Sequence, residues 1–166
     1  MARLAESELA VVIITNQAAI NRGLVSVDTV EDIHRRMVQA IQAAGGRVDG
    51  VFYCPHRPDE QCTCRKPQPG MLLQAARELD IDLTGSYLIG DAWTDVLAGQ
   101  AVGCQCYMVL TGRGRRQFLS YLRKGLGQGR ENNNFRLARN LQGAVRMILA
   151  DLRGLKSAEV WGNIGL

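Results

Sequence analysis

Cys54-Pro-His56 followed by Cys62-Thr-Cys64 brings three thiols and one imidazole into a short stretch of chain, the donor set of a closed, tetrahedral Cys₃His zinc site. The members of the pairs stand one residue apart, where zinc fingers space theirs by about two to four, so the pattern fits a metal-tied loop better than a finger. Four protein ligands leave a zinc ion no open position, which makes its role structural. Cys104 and Cys106 flank Gln105 at the start of an apolar run and read as small buried residues. Two further polar clusters follow short apolar runs: Thr15-Asn16-Gln17 and the pair Asp91 and Asp95. A hydroxyl, an amide and nearby backbone N–H groups suit a phosphate, and a carboxylate pair suits Mg²⁺. Between them in the chain Arg65-Lys66 leaves the cysteine segment, and a lysine there can neutralise a phosphoryl oxygen.

The elements that position these residues are legible from pattern. Leu9 to Ile14 is a β-branched run without polar alternation, as in a parallel strand covered on both faces. Ser26 caps a predicted helix through Val30, Ile33, Met37 and Ile41, ended by Gly45-Gly46. Val48 to Tyr53 reads as a second strand, Met71 to Leu79 as a helix after Pro69-Gly70, and Tyr87 to Ile89 as a third strand. Thr94 to Val102 is a predicted helix, Tyr107 to Leu110 a fourth strand, and residues 135–153 a last helix. Residues 112–134, rich in Gly and Arg, read as a mobile loop or a marginal helix. Strands alternating with helices predict one α/β domain over residues 1–166, with a parallel sheet and ligands at the carboxyl ends of its strands.

In their order, Thr15 to Gly23, Cys54-Pro-His56, Cys62-Thr-Cys64-Arg65-Lys66-Pro67, Pro69-Gly70-Met71-Leu72 and Ile89-Gly90-Asp91-Ala92-Trp93-Thr94-Asp95 closely resemble the haloacid dehalogenase (HAD) superfamily. Within it the chain is similar to the D-glycero-D-manno-heptose 1,7-bisphosphate 7-phosphatases and their relatives, the histidinol-phosphate phosphatases, over about residues 9–112. The resemblance implies a Rossmann-like fold with helices on both sheet faces. It also implies Mg²⁺-dependent hydrolysis of a phosphate monoester through an aspartyl-phosphate, and a structural zinc in the substrate loop (54–66). By the same resemblance Thr15 and Asn16 hold the phosphate, Lys66 steadies nucleophile and phosphate, and Arg65 reaches substrate. Asp91 ligates Mg²⁺, Asp95 supports the site, and Cys54, His56, Cys62 and Cys64 hold zinc. Ala92 stands where heptose phosphatases often carry a lysine.

One part of the pattern is missing. The superfamily's first motif is an apolar strand ending in Asp-x-Asp, whose first carboxylate attacks phosphorus and whose second is the general acid and base. No Asp lies among the fourteen residues before Thr15. Asp80-Ile-Asp82-Leu-Thr84 matches the letters, but it follows a helical pattern and lies too near Asp91 for a separate βαβ strand, so it reads as a turn at a helix end. In the family the absent strand lies mid-sheet, so the expectation is a sheet with two unpaired edges facing a gap, a chain that is a shortened form of a longer protein, and no catalysis by the chain alone.

The hydrophobic fraction of 46% supports a buried core, and aromatic residues at 5% give little from which to build a base-stacking platform. The net charge of +4 is uneven: residues 1–110 hold 9 Lys+Arg against 13 Asp+Glu, and residues 111–166 hold 11 against 3. The expected setting is a cytoplasmic monomer acting on a small phosphorylated sugar, with no membrane or nucleic-acid partner and with the basic stretch from Arg113 to Arg130 mobile and outside the site. The alternatives are a histidinol-phosphate phosphatase, a polynucleotide 3′-phosphatase that uses the basic tail, and a non-catalytic, zinc-stabilised phosphate-binding module.

Overall fold

The computed structural model describes residues 2–125 and 134–162. Among the described residues five parallel strands form two sheets. β1 (Val12–Asn16) pairs with β2 (Gly50–Cys54), with Asn16 beside Cys54. β3 (Tyr87–Gly90), β4 (Gln105–Val109) and β5 (Phe135–Ala138) pair in that order. The free edges of β1 and β3 both line a cavity of about 1750 Å³, whose walls include Leu72, Ala75 and Leu79 on one side and Ile148 on the other. The expected gap is therefore present: a packed interior leaves few voids larger than a water molecule.

Each sheet has its own core, and a further cluster of Leu4, Val11 and Val145, with Ile89 against it, joins the two. Helix α1 is Ala2–Ala5, α2 is Val27–Ala43 and α3 is Gly70–Leu79. The Ser26 side chain accepts from the Thr29 N–H at 3.1 Å and starts α2. Phe52 and Cys54 of β2 pack on Met71 and Ala75 of α3, with Val12 and Ile14 of β1 against them. In the second sheet, alternate residues of β4 face opposite ways, as a strand period of two requires. Cys106 and Met108 meet Val96 of α4 (Trp93–Gln100). Tyr107 and Val109 meet Ala144 and Ile148 of α6 (Leu141–Gly162). The fully buried Tyr107 donates its hydroxyl to Asp151 of α6 at 2.9 Å, and Arg136 of β5 donates to the same hydroxyl at 3.1 Å.

Two stretches differ from the sequence reading. Residues 135–153 are not one helix: Phe135–Ala138 is an edge strand, and α6 starts at Leu141. Phe135, Leu137 and Leu141 fit helical spacing, but β4 offers an open edge that a four-residue strand satisfies. Within the segment read as a loop or marginal helix, Gly114–Gly125 forms helix α5. Tyr121 of α5 stacks on Trp93, with ring centroids 4.5 Å apart, and both meet the edge of Phe135. The interior of α5, between its terminal glycines, is rich in the helix formers Arg, Leu and Lys, and this aromatic contact docks it. Residues 126–133 of that segment lie outside the described residues. No described helix is long and apolar enough to cross a membrane.

Met108 has no exposed surface, so Met108→Ala is expected to cost about 2–5 kcal/mol of stability. The exposed Leu119 should cost within about 0.5 kcal/mol on truncation to Ala. Urea denaturation of both variants checks the difference.

Candidate functional site

The polar groups gather at the mouth of the cavity, where β1 and β3 end. β1 places Thr15 and Asn16 there, the turn after β3 places Asp91, the first turn of α4 places Asp95, and the segment after the cysteine loop brings Arg65 and Lys66; all six line the cavity. Only Asn16, Lys66 and Asp95 bond directly across these elements. The Asn16 amide donates to the Lys66 carbonyl at 3.2 Å and accepts from the Lys66 N–H at 3.1 Å. A two-way clamp of this kind fixes where the lysine leaves the chain, and one amide N–H of Asn16 remains for another acceptor.

The Lys66 ammonium donates to the carbonyl of Ile14 at 2.9 Å and pairs with Asp95 at 2.7 Å, the two side chains being only 12% and 9% exposed. Of its three donors, one remains for a ligand. Asp95 is held in turn: its second oxygen accepts from the Ala92 N–H at 3.0 Å, which closes the first turn of α4. Gly90 makes room for this, since a Cβ there would come 2.3 Å from the Cβ of Asp95. The sequence reading gave Asp95 a supporting role; the ion pair identifies what it supports.

Asp91 accepts from the backbone N–H of Arg113 at 2.9 Å, and the Arg113 guanidinium lies 3.4 Å from its other oxygen. Arg113 also lines the cavity. The expectation that the basic stretch lies outside the site from Arg113 onward is thus corrected at its first residue. The signal available in sequence was the glycine on either side of it, since Gly112 has φ +58° and so adopts a backbone that favours glycine. Asp80, by contrast, terminates α3 in a left-handed conformation, and Asp82 accepts from the N–H and hydroxyl of Thr84 at an exposed turn, as expected of a turn at a helix end.

The cysteine segment is a compact donor cluster. The Sγ atoms of Cys54, Cys62 and Cys64 lie 3.1–3.6 Å apart. His56 Nδ1 lies 3.5 Å from Cys54 and 3.2 Å from Cys64. Zn–S bonds of about 2.3 Å and Zn–N bonds of about 2.0 Å require ligand atoms at about these separations, so the four groups fit one tetrahedral zinc. Burial pushes the Cys54 thiol up to about 12, the cost of a thiolate there without a cation. The loop is braced on both sides. Arg65 donates to the His56 carbonyl at 3.0 Å, and Asn21 donates to Glu60 at 2.9 Å. Glu60, which also accepts from the Arg57 N–H, is held below the usual carboxylate range by these bonds. At Gly70 a Cβ would lie 2.4 Å from the Thr63 carbonyl oxygen, so glycine there lets α3 start against the loop. Cys104, just before β4 beside the cavity, and Cys106, in the second sheet's core, lie apart from the cluster, and burial pushes them up to about 11 and about 12.

Asp95→Asn keeps an acceptor for the Ala92 N–H but leaves the Lys66 ammonium unpaired. It is expected to cost about 3 kcal/mol, while Lys66→Met with Asp95→Asn should cost less than the two single changes together by about 0.5–3 kcal/mol. A double-mutant cycle by urea denaturation measures this coupling.

Residues 63–125 match the HAD-hydrolase-like family. The D-glycero-β-D-manno-heptose-1,7-bisphosphate 7-phosphatase of Bordetella bronchiseptica is 38% identical over 151 residues, covering 91% of this chain and 80% of that protein. The proteins of the same name from Pseudomonas aeruginosa and Pseudomonas putida are 41% and 42% identical, and the alignments cover 65% and 66% of their lengths. The chain thus spans just under two thirds of the Pseudomonas relatives. The crystal structure of the B. bronchiseptica D,D-heptose 1,7-bisphosphate phosphatase with magnesium and phosphate superposes with a TM-score of 0.80 at 37% identity, over 90% of this chain and 79% of that one. The Burkholderia thailandensis D,D-heptose 1,7-bisphosphate phosphatase gives 0.66 at 30% identity, over 89% of this chain and 80% of that one. Similarity at this level and over this extent shows that the chain belongs to the haloacid dehalogenase-like hydrolases, in the family of the heptose 1,7-bisphosphate 7-phosphatases.

Proposed function

We propose that this chain forms the phosphate-holding body of a phosphatase that removes the 7-phosphate of D-glycero-β-D-manno-heptose 1,7-bisphosphate, working as a monomer in the cytoplasm. The observation that carries the reading is the convergence of Thr15, Asn16, Lys66, Asp91 and Asp95 at one cavity mouth. The names of the relatives supply the substrate class.

In this reading the Thr15 hydroxyl and the free N–H of Asn16 donate to phosphate oxygens, and the third donor of Lys66 stabilises the charge that grows on them. Asp91, with an oxygen at the mouth and a carboxylate's preference for hard cations, is the residue that would hold Mg²⁺, which supplies positive charge to the phosphoryl group. Zinc on Cys54, His56, Cys62 and Cys64 fixes the loop from which Arg65 and Lys66 emerge. Hydrolysis through a covalent intermediate needs a free carboxylate to attack phosphorus. Asp95 is bound to Lys66 and Ala92, and Asp91 to Arg113, so neither is free to attack.

Accordingly, the purified chain with Mg²⁺ and heptose 1,7-bisphosphate should release no phosphate above background. A variant carrying an apolar strand that ends in Asp-x-Asp ahead of Thr15 should turn the substrate over. Release by the chain itself, abolished by Asp91→Asn, would refute the first expectation.

Elemental analysis of protein purified without chelator should find one zinc per chain. After zinc removal a thiol reagent at neutral pH should titrate the half-buried Cys62 and Cys64 in the folded protein, with Cys54, Cys104 and Cys106 silent until denaturant is added, because the thiolates of these three buried groups form only well above neutral pH.

A further inference from the structure

We infer that Arg113 is a specificity-determining residue, which binds the second acidic group of the substrate, the phosphate remote from the bond to be broken. The inference rests on the heptose-phosphate reading above and adds to it a residue and a role.

Three cations line the cavity mouth, and they are held very differently. Lys66 is almost buried and engaged by Ile14 and Asp95. Arg65 braces the zinc loop through the His56 carbonyl. The Arg113 side chain is 71% exposed, and its contact with Asp91 spans 3.4 Å, well beyond the roughly 2.7–2.9 Å of a strong charge-assisted bond. Its guanidinium rests on Asp91 without being committed to it.

The backbone beneath that side chain is fixed independently. The Arg113 N–H bonds Asp91 at 2.9 Å. A Cβ on Gly112 would stand 2.4 Å from an Asp91 oxygen, and one on Gly114 would stand 1.7 Å from the Val109 carbonyl oxygen. Both neighbours are therefore restricted to glycine by close packing, and residue 113 is the position in this turn that carries a side chain to the mouth. Removing that side chain leaves the N–H on Asp91 in place.

The chemistry follows from what else competes for Asp91. A divalent cation on that carboxylate takes oxygen lone pairs that the guanidinium now faces. The freed fork of donors then matches the geometry of a phosphate dianion. A sugar bisphosphate carries such a group away from the one held by Thr15 and Lys66, whereas a monophosphate offers a hydroxyl there.

The test is calorimetric binding to the intact chain in Mg²⁺, with heptose 1,7-bisphosphate, heptose 7-phosphate and inorganic phosphate as probes. The wild-type chain should prefer the bisphosphate by roughly tenfold over the 7-phosphate. Arg113→Ala should reduce that preference to about twofold or less with 7-phosphate affinity nearly unchanged, and Arg113→Lys should retain part of it. An unchanged preference in Arg113→Ala, an equal loss for both sugars, or no preference in the wild type overturns the assignment while leaving the phosphatase reading intact. Failure of the wild-type chain to bind any of the three probes overturns both.

Discussion

The ion pair between Lys66 and Asp95 joins, at the carboxyl ends of the strands, two sheets that share no backbone ladder and otherwise meet through the apolar cluster of Leu4, Val11 and Val145. Lys66 belongs to the side of β1 and the cysteine loop, and Asp95 to the side of β3 and α4, while the strand edges between them make no ladder. A charge pair with so little solvent around it is stabilising only when its remaining donors and acceptors are satisfied. The carbonyl of Ile14, the N–H of Ala92 and the Asn16 clamp on the lysine backbone meet that condition. The same bonds fix the positions of the groups that a phosphate needs.

The cysteine loop and the glycine turn at Arg113 solve a related problem from opposite sides. Each must bring a cation to the mouth on irregular backbone, where hydrogen-bond ladders give no rigidity. On one side four soft donors converge on one point, with Gly70 allowing α3 to begin in contact. On the other, Gly112 lets the chain pass close over the Asp91 carboxylate and Gly114 lets it close on the Val109 carbonyl. In both places a carboxylate accepting backbone N–H groups, Glu60 or Asp91, completes the brace.

Much of this was legible in the sequence, because the strongest signals are local. The β-branched run before Thr15, the Ser26 cap and the Cys-x-His and Cys-x-Cys pairs each follow from short-range chemistry. The gap beside β1 follows instead from the family resemblance, in which a strand ending in Asp-x-Asp lies mid-sheet. What sequence could not supply depends on contacts distant in the chain. Phe135–Ala138 carries a helical spacing that an open edge on β4 overrides. Gly114–Gly125 holds good helix formers between its terminal glycines, and the stacking of Tyr121 on Trp93 that docks it is not visible in the sequence. Asn16 carried no mark that its amide would serve the Lys66 backbone, fifty residues away in the chain. Arg113 looked like one basic residue among many until its turn closed on Asp91.

The central claim is that the point where Lys66 and Asp95 bridge the two sheets is a phosphate site, already formed in this chain and held by Thr15 and Lys66. Titration of inorganic phosphate into the chain with Mg²⁺, followed by phosphorus NMR, tests it most directly. The account predicts saturable binding at one site, weakened at least tenfold by Thr15→Val and by Lys66→Met and unaffected by Asp82→Asn at the exposed turn. Binding that survives both of the first two changes, or none in the unaltered chain, would contradict it.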